Sequence, residues 1–498
     1  MPSAPTAAPV SRRRLLQLSG ASAAMIALGI DAPSVEAAPP PGTEGMFSLG
    51  VASGAPRPDG AVLWTRLAPE PLAEDGHGGM PLKEVTVRWE VATDEDFRGI
   101  VAHGRALAQP GLAHSVHPRV EGLEPGTEHF YRFRVGRELS PVGRFRTLPA
   151  AGETPESFSF GLVSCQAWYH GHFTAHRHLA AEEDLDLVVF VGDYIYEYGI
   201  TETNLWRQGA EVEEAHRVEI ETLEQYRLRY ALFKSDPHLQ AVHARAAAVA
   251  VWDDHEVQNN YAGPLSDTGI DEEDFAHRIA VAYRAFYENM PLDVAALPEG
   301  PDTDITAGFD VGALARFSLL DSRQFRDAEP ADADEQQRED RTILGAAQEE
   351  WVGERLASSE ATWNLLANGV VLVPITEDRT DMWDGFPAAR RRLLAQMAET
   401  QNPVMLTGDI HKHVAAEIPA DSDDPGEAKT DSATADWVQH DYVTLYDGRR
   451  GYVHVRLTPE EMVSSFHIVE WIEADDTAPK QLTARFTTPA GDPRLIPA

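Results

Sequence analysis

The chain has 498 residues, an apolar content of 43% and a formal net charge of −38 at pH 7. This length is sufficient for a large core and more than one domain, and the apolar content excludes a wholly disordered chain. Because nucleic-acid-binding surfaces need clustered Lys and Arg, the charge argues against such a surface.

The first residues combine a basic, an apolar and a small-residue segment in that order. Residues 12–14 are all arginine, the Ala-rich run 18–30 follows, and small residues precede Pro39. This order is typical of a cleaved export signal, and the arginines indicate the twin-arginine translocation machinery as a partner. A short amphipathic membrane anchor is the alternative, since the run is below the ~20 residues of a spanning helix. We predict an export signal over 1–37, no stable membrane anchor after its removal, and a secreted or cell-envelope protein.

Residues 46–148 carry the signals of a small β domain. The stretch 85–91 alternates apolar and polar residues at period two, and further short runs follow with Gly and Pro turns between them. The passage 123–133 resembles the corner and strand of fibronectin-type sandwiches. The prediction is an N-terminal fibronectin- or immunoglobulin-like β-sandwich without chemistry of its own.

From about residue 155 the pattern changes to strands alternating with amphipathic helices, which predicts an α/β domain over 155–498. The predicted strands are 158–163, 185–191, 247–252 and 404–407, and the predicted helices are 223–233, 274–288, 348–358 and 390–400. The acidic stretch 421–435 has almost no large apolar residue, so we predict a solvated loop there.

Each of these four predicted strands ends in side chains that can ligate a metal. In open α/β sheets the carboxyl edge of the strands is where ligands bind, and metal clusters are assembled there from distant parts of the chain. The four strand ends are Ser164-Cys165, Gly192-Asp193, Asp253-Asp254-His255-Glu256 and Gly408-Asp409-Ile410-His411-Lys412-His413. We interpret Asp193 as the carboxylate that bridges the ions, although a single Gly-Asp is also a common cap or turn.

Tyr196 is a candidate ligand for iron, and Cys165 is a candidate ligand for a metal. Tyr196 stands three positions after Asp193, and a phenolate is a hard anionic donor that suits ferric iron. A buried structural tyrosine is the alternative. Cys165 is the only cysteine, so no intramolecular disulfide can form; it is either a metal-bound thiolate or a small buried apolar side chain.

The third and fourth strand ends offer oxygen and nitrogen ligands. Asp254 and Asn259 supply hard oxygen atoms that suit calcium, while His255 could act on the substrate; a capped helix start is the competing interpretation. On an extended segment His411 and His413 would point to the same side as Asp409.

Six stretches, in order along the chain, match the motifs of one known family. They are Ser164-Cys165-Gln166, Gly192-Asp193-Tyr194-Ile195-Tyr196, Trp252-Asp253-Asp254-His255-Glu256, Leu320-Asp321-Ser322-Arg323-Gln324-Phe325-Arg326, Asp381-Met382-Trp383-Asp384-Gly385-Phe386-Pro387 and Leu406-Thr407-Gly408-Asp409-Ile410-His411. From about residue 47 to 469 the chain resembles the PhoD-type alkaline phosphatases and phosphodiesterases of the calcineurin-like metallophosphoesterase superfamily. The resemblance implies a metallophosphoesterase βαβα sandwich.

The resemblance also implies an activity and a set of site residues. The expected reaction is hydrolysis of phosphate monoesters, and of diesters, by a metal-bound hydroxide at an iron and calcium cluster (Fe3+, Ca2+). The residues that the resemblance assigns to ferric iron are Cys165, Asp193, Tyr196 and Asp409, and those that it assigns to calcium are the bridging Asp193 with Asp254, His411 and Asn259. The expected catalytic residues are Asp193, Asp254, His255 and Arg323. Two departures from the wider superfamily are features of this branch. Cys165 stands where the superfamily often has an Asp, and Asp409 replaces the first His of its Gly-His-x-His motif. The role of His413 stays open.

Arg323 and Arg326 are candidates for bidentate contacts with the substrate. Their alternative is a salt bridge with Asp321 or Asp327.

Two other functions remain open at this stage. A phospholipase D-like phosphodiesterase would need an apolar rim and a basic amphipathic helix, which the sequence does not offer; a non-catalytic phosphate-binding protein would not need so many metal ligands.

Overall fold

The computed structural model describes residues 45–373, 380–418 and 442–498. The predicted export signal over 1–37 and the predicted acidic loop over 421–435 lie outside these described residues, and both stay predictions. Within the described ranges, no helix combines the length and the apolar character needed to cross a membrane.

The strands and helices are numbered in chain order. The strands are β1 (Val51–Arg57), β2 (Gly60–Arg66), β3 (Val85–Ala92), β4 (Ile100–Ala108), β5 (Ser115–Val116), β6 (Arg119–Val120), β7 (Glu128–Val135), β8 (Glu138–Leu139), β9 (Gly143–Arg146), β10 (Phe158–Val163), β11 (Leu187–Val191), β12 (Ala247–Val251), β13 (Ala307–Val311), β14 (Ala315–Leu319), β15 (Trp363–Ala367), β16 (Pro403–Leu406), β17 (His413–Ala416), β18 (Val443–Asp447), β19 (Gly451–Leu457), β20 (Glu461–Val469), β21 (Lys480–Pro489) and β22 (Ile496–Pro497). The α-helices are α1 (Thr174–Ala180), α2 (Leu223–Lys234), α3 (Pro237–Arg245), α4 (Glu272–Asn289), α5 (Ala333–Gln336), α6 (Ala346–Ala357) and α7 (Pro387–Ala398).

The four strands and four helices predicted after residue 155 are confirmed, with ends that differ by at most three residues. Local chemistry explains several ends. Helix α2 begins with a capping box in which the Thr222 side chain accepts from the Gln225 N–H and the Gln225 side chain accepts from the Thr222 N–H. Helix α4 has three acidic residues in its first turn, which favour the positive end of the helix dipole.

An eleven-stranded sheet forms the centre of the fold, in the order β22-β21-β20-β19-β10-β11-β12-β1-β2-β5, with β6 also paired to β2. Strands β10, β11 and β12 are parallel neighbours. All five residues of β11 and all five of β12 are buried. A continuous apolar run of this kind is what a parallel strand covered on both faces requires.

A second sheet packs against one face of the first. Its order is β13-β14-β15-β16, and the last three strands are parallel. Leu187 and Val189 share a core cluster with Phe317 of this sheet, whose ring meets Phe160 edge-on at 5.5 Å. Val188 and its alternate neighbours in β11 face helices α1 to α4 instead. With α6 and α7 covering the second sheet, the layers are helices, sheet, sheet and helices.

The N-terminal residues divide between two sheets. Strands β3, β4, β7, β8 and β9 form a separate five-stranded sheet, whereas β1, β2, β5 and β6 extend the central sheet. Strand β1 lies parallel to β12, with Gly54 opposite Ala248. Residues 46–148 therefore share the central sheet with the rest of the fold. The boundaries near 148 and 155, and the fibronectin-like type, stay predictions.

Candidate active site

The carboxyl ends of strands from both sheets meet at one place. Gly408, which follows β16, makes this approach sterically feasible. A Cβ at this position would lie 2.4 Å from the carbonyl oxygen of Val191 and 3.0 Å from the Cβ of Ser164. Only glycine fits so close to the ends of β10 and β11, so the loop that carries Asp409 and His411 is brought against Cys165 and Asp193.

Hydrogen bonds hold the loops at these strand ends together. The backbone N–H of Cys165 donates to the Gly192 carbonyl at 3.2 Å. The buried carboxylate of Glu256 accepts from the N–H groups of Asp193 at 3.2 Å, Tyr194 at 2.5 Å and Asp253 at 2.9 Å. Glu256 therefore links the loop after β11 to the loop after β12, a role that the sequence analysis did not assign to it.

Four of the predicted metal ligands have left-handed backbone conformations. The φ angles are 56° at Cys165, 54° at Asp193, 69° at Asp409 and 57° at His411. For residues other than glycine this region is unfavourable by about 1 kcal/mol or more, and such strain is concentrated at functional sites. The surrounding fold therefore holds these four side chains in positions that an unconstrained chain would avoid.

The first group of candidate ligands consists of Cys165, Asp193, Tyr196 and His411. Ligand atoms of Cys165, Asp193 and His411 lie within 4.8 Å of one another. The Tyr196 hydroxyl is 3.1 Å from Oδ2 of Asp193 and 3.1 Å from Nε2 of His411. His411, which the resemblance assigned to calcium, thus lies among the residues expected to hold iron. Asp409 is close enough for its charge to raise the pKa of Cys165, after burial and Asp193.

The second group consists of Asp193, Asp254 and His255, whose ligand atoms also lie within 4.8 Å of one another. Oδ2 of Asp254 accepts from the N–H of Asn260 at 2.8 Å. Oδ1 of Asp193 and Oδ1 of Asp254 are buried and have no hydrogen-bond partner in the described part of the chain. Asp193 belongs to both groups, and each group contains a carboxylate oxygen that is left for an ion.

Glu197 supports the second group and was missed in the sequence analysis. Its Oε2 lies 2.7 Å from Nδ1 of His255, and its Oε1 accepts from the N–H of Asn259 at 2.8 Å. The structure thus connects Asn259 to the site through its backbone, and ligation of calcium by its side chain stays a prediction. No local pattern marks Glu197, because its partners are about 60 positions away along the chain.

Arg323 does not have the geometry expected of a substrate contact. Its side chain is fully buried; Nε lies 2.5 Å from Asp253, and Nη1 and Nη2 lie 2.8 and 3.0 Å from the carboxylate of Asp381. Arg323 thus makes its bidentate contact with Asp381 and not with a substrate. The alternative of an ion pair is correct, but the partners are Asp253 and Asp381 in place of Asp321 or Asp327. Because Nη2 is also 3.8 Å from Asp254, Arg323 positions carboxylates of the site. Arg326 lies behind it, 3.1 Å from Asp381.

His413 does not join His411. The predicted extended segment is a turn at Asp409 and His411, where both φ angles are positive, and β17 begins only at His413. The His413 ring lies edge-on to Phe466 at 6.0 Å. The two histidines therefore face different surroundings, and the expectation that they point the same way is wrong.

The electrostatics of the cluster indicate that it binds cations. Burial, followed by the charges of neighbouring groups, raises the pKa of Asp193 and of the Cys165 thiol well above their usual values. Burial and nearby carboxylates also raise the pKa of Asp253 to about 8, of Glu256 to about 7 and of Asp409 to about 6. Without a metal, several buried carboxylates would hold protons at neutral pH. Bound cations would replace those protons; the carboxylate and phenolate oxygens suit hard, highly charged ions, and the softer thiolate suits a transition metal.

His255 is the exception among the histidines of the site. Burial opposes its charge, but the charges of Asp254 and Asp193 and the hydrogen bond with Glu197 together raise its pKa well above the usual value. In the absence of a bound cation, this environment favours the charged form of the imidazole.

Comparisons with known proteins show the family to which the chain belongs. A family model described as PhoD-like phosphatase matches residues 160–466, and one described as its N-terminal domain matches residues 34–149. The chain is 40% identical over 502 residues to alkaline phosphatase D of Bacillus subtilis (strain 168), an alignment that covers 93% of this chain and 85% of that protein.

Two solved structures are similar to the fold. One, titled "Structure of PhoD", has a TM-score of 0.84 and 37% identity, with 94% of this chain and 93% of that chain covered. The other is a purple acid phosphatase from yellow lupin (Lupinus luteus) seeds, with a TM-score of 0.52, 11% identity, and coverage of 88% and 73%. At that identity the second similarity concerns the fold alone.

Proposed function

This chain belongs to the PhoD-like phosphatase family and is a phosphoric ester hydrolase, and on that premise we propose that it is an exported enzyme that hydrolyses phosphate monoesters and diesters with ferric iron and calcium. The single observation that carries the proposal is the convergence of Cys165, Asp193, Tyr196 and His411 at the ends of strands from two sheets. A thiol, a carboxylate, a phenol and an imidazole together form a donor set typical of a transition-metal site.

Asp193 is shared between two ions in this proposal. Cys165, Tyr196, Asp409 and His411 would hold ferric iron with it, while Asp254 and Asn259 would hold calcium. Two observations support the assignment: Asp193 is common to both ligand groups, and its Oδ1 is buried without a partner in the described residues. Bound there, the cations would neutralise the phosphoryl oxygens and lower the pKa of the attacking water.

In this proposal the protein's own side chains orient the ester and donate a proton to its leaving group. Glu197 holds Nδ1 of His255, which leaves Nε2 for the leaving-group oxygen of the substrate. A proton on this nitrogen would be donated to the leaving group, and the hydrogen bond with Glu197, which is outside the proposed metal ligands, raises the pKa of His255 and favours that protonated form. Arg323 holds Asp253 in place and lowers the pKa of Asp254, which favours its charged form, so Arg323 is a positioning residue in this proposal.

The proposal is tested by metal analysis and a substrate panel on the mature protein. We expect iron and calcium in the purified enzyme, release of phosphate from a monoester at alkaline pH, and cleavage of a diester. Asp193→Asn should lose both activities and much of the metal, whereas Asp340→Asn, at an exposed ion pair with Arg338, should keep them. An active enzyme that contains zinc and no iron would contradict the metal assignment.

The same panel decides the two remaining alternatives. Release of the free head-group alcohol from a phospholipid, with little turnover of other esters, would favour the phospholipase D-like phosphodiesterase. Turnover of any phosphate ester excludes the non-catalytic phosphate-binding protein. Export through the twin-arginine machinery is part of the proposal because residues 12–14 are all arginine.

A further inference from the structure

An exposed tryptophan lies beside the candidate active site. Trp206 is 48% exposed, and its indole stacks on the ring of His170 with centroids 4.1 Å apart and planes 13° apart. His170 covers part of the indole, and the remaining surface is open to solvent. A large exposed aromatic group stacked in this way presents a flat apolar surface.

The backbone around Trp206 is fixed on both sides. The N–H groups of Trp206 and Arg207 both donate to the carbonyl of Tyr169, at 2.8 and 3.1 Å. The Arg207 guanidinium lies over Trp168 and pairs with Asp236 at 2.7 Å. Because the loop is already ordered, a ligand that stacks on the indole would lose little affinity to loop ordering.

A chain of aromatic contacts connects this surface to the metal ligands. The ring of Tyr169 packs edge-on against His170 at 4.7 Å and against Tyr196 at 6.2 Å. The Tyr196 hydroxyl is in turn 3.1 Å from His411. The stacked pair is therefore separated from Tyr196, one of the candidate metal ligands, by the single ring of Tyr169.

We propose that the stacked rings of Trp206 and His170 form a subsite for the aromatic group of a phosphate ester, either an aryl ring or a nucleobase. This inference rests on the proposed function and specifies its substrate class. Stacking on an aromatic side chain is tolerant of ring type, because every flat ring has a π face. Burial lowers the pKa of His170 to about 4, so the imidazole is neutral under alkaline conditions and the stack remains an uncharged surface.

Binding to the metal-loaded enzyme tests the inference without turnover. Phenylphosphonate and methylphosphonate carry the same anionic group and differ in the ring, so titration calorimetry with both isolates the subsite. We expect wild type to prefer phenylphosphonate, and Trp206→Ala to weaken that ligand at least about fivefold with a change of less than about twofold for methylphosphonate. Trp206→Phe should retain most of the preference. Phe325→Ala removes a comparably exposed aromatic side chain on another loop and should change nothing.

Turnover of two substrate pairs distinguishes the aryl source from the nucleobase source. Phenyl phosphate is compared with glycerol phosphate, and adenosine 5′-monophosphate with ribose 5-phosphate. Trp206→Ala should raise KM for the ring-bearing member of the pair that is the true substrate class and leave kcat unchanged, since the platform binds ground state and transition state alike.

Two results would overturn the inference: a wild-type enzyme without preference for phenylphosphonate, or equal weakening of both phosphonates in Trp206→Ala. Either result leaves the proposed function intact if the esters are hydrolysed. Conversely, preferential binding of phenylphosphonate without turnover of any ester would contradict the proposed function and not the subsite.

Discussion

Replacement of Lys234 by methionine should stabilise the protein at neutral pH and not at high pH. Lys234 ends helix α2 and is 1% exposed. Its ammonium lies 4.3 Å from the ring centroid of Trp64 and 5.3 Å from that of Tyr194. Burial, followed by the charge of Arg66, lowers the pKa of Lys234 from 10.5 to about 7.

The sign of the pH dependence follows from proton binding. Between about pH 7 and pH 10.5 the unfolded chain binds more protons at this lysine than the folded chain, so stability rises with pH across that window. Each pKa unit corresponds to about 1.4 kcal/mol, which gives a penalty of about 5 kcal/mol below pH 7. The two cation–π contacts return about 0.5–2 kcal/mol to the charged form. Lys234→Met should therefore gain about 3–4.5 kcal/mol just below pH 7, a gain that falls to nearly zero by about pH 10.

Urea unfolding of wild type and variant, followed by circular dichroism at intervals from about pH 6 to pH 10, measures this difference. Lys83→Met, at an exposed lysine, serves as the control and should give a constant difference. If the stability difference between wild type and Lys234→Met stays flat across the pH range, Lys234 keeps its proton in the folded state and the reasoning is refuted.

Four further predictions concern the site and the export signal. Cys165→Ser should bleach or shift a visible charge-transfer band and lower kcat/KM by more than about tenfold; an unchanged spectrum with full activity would return Cys165 to a small buried side chain. A calcium chelator should abolish activity while iron stays bound, and added calcium should restore it; full activity after prolonged dialysis against chelator would count against calcium. Glu197→Gln should lower kcat about 10- to 100-fold with little change in Tm, because His255 keeps a hydrogen-bond acceptor but loses the charge beside it; unaltered kcat would remove Glu197 from the mechanism. Replacement of residues 12–14 by lysine should leave an unexported precursor in the cytoplasm on fractionation, and undiminished export would exclude the twin-arginine route.

The strands that position the site were predictable because their signals are local. The run 187–191 is apolar throughout and ends at Gly-Asp, and its alternate side chains face different cores, as a doubly covered strand requires. The same reasoning located the candidate ligands at the strand ends. The same reasoning wrongly predicted an extended segment from Asp409 to His413. Asp409 and His411 have left-handed backbone conformations, which are uncommon for residues other than glycine and are not predicted from local sequence.

The partners of charged side chains were not predictable. Arg323 pairs with Asp253, 70 positions earlier, and with Asp381, 58 positions later, whereas the sequence offers nearer acidic residues as partners. The carboxylate of Asp321 instead accepts hydrogen bonds from the backbone N–H groups of Arg323 and Gln324. Such pairs depend on which strand ends are brought together, and that is decided by sheet pairing far along the chain.

The pairing of β1 with β12 also determines how the protein can be divided into fragments. The two family models cover residues 34–149 and 160–466, so a fragment that begins near residue 160 could be chosen for expression. Such a fragment would lack β1, and β12 would become an edge strand with buried apolar side chains and unpaired N–H and C=O groups. Exposed edges of this kind pair with other molecules. We therefore expect a shortened protein to aggregate unless it begins before Val51. In a chimera with a relative, β1, β2 and β12 would have to come from the same parent so that their pairing is kept.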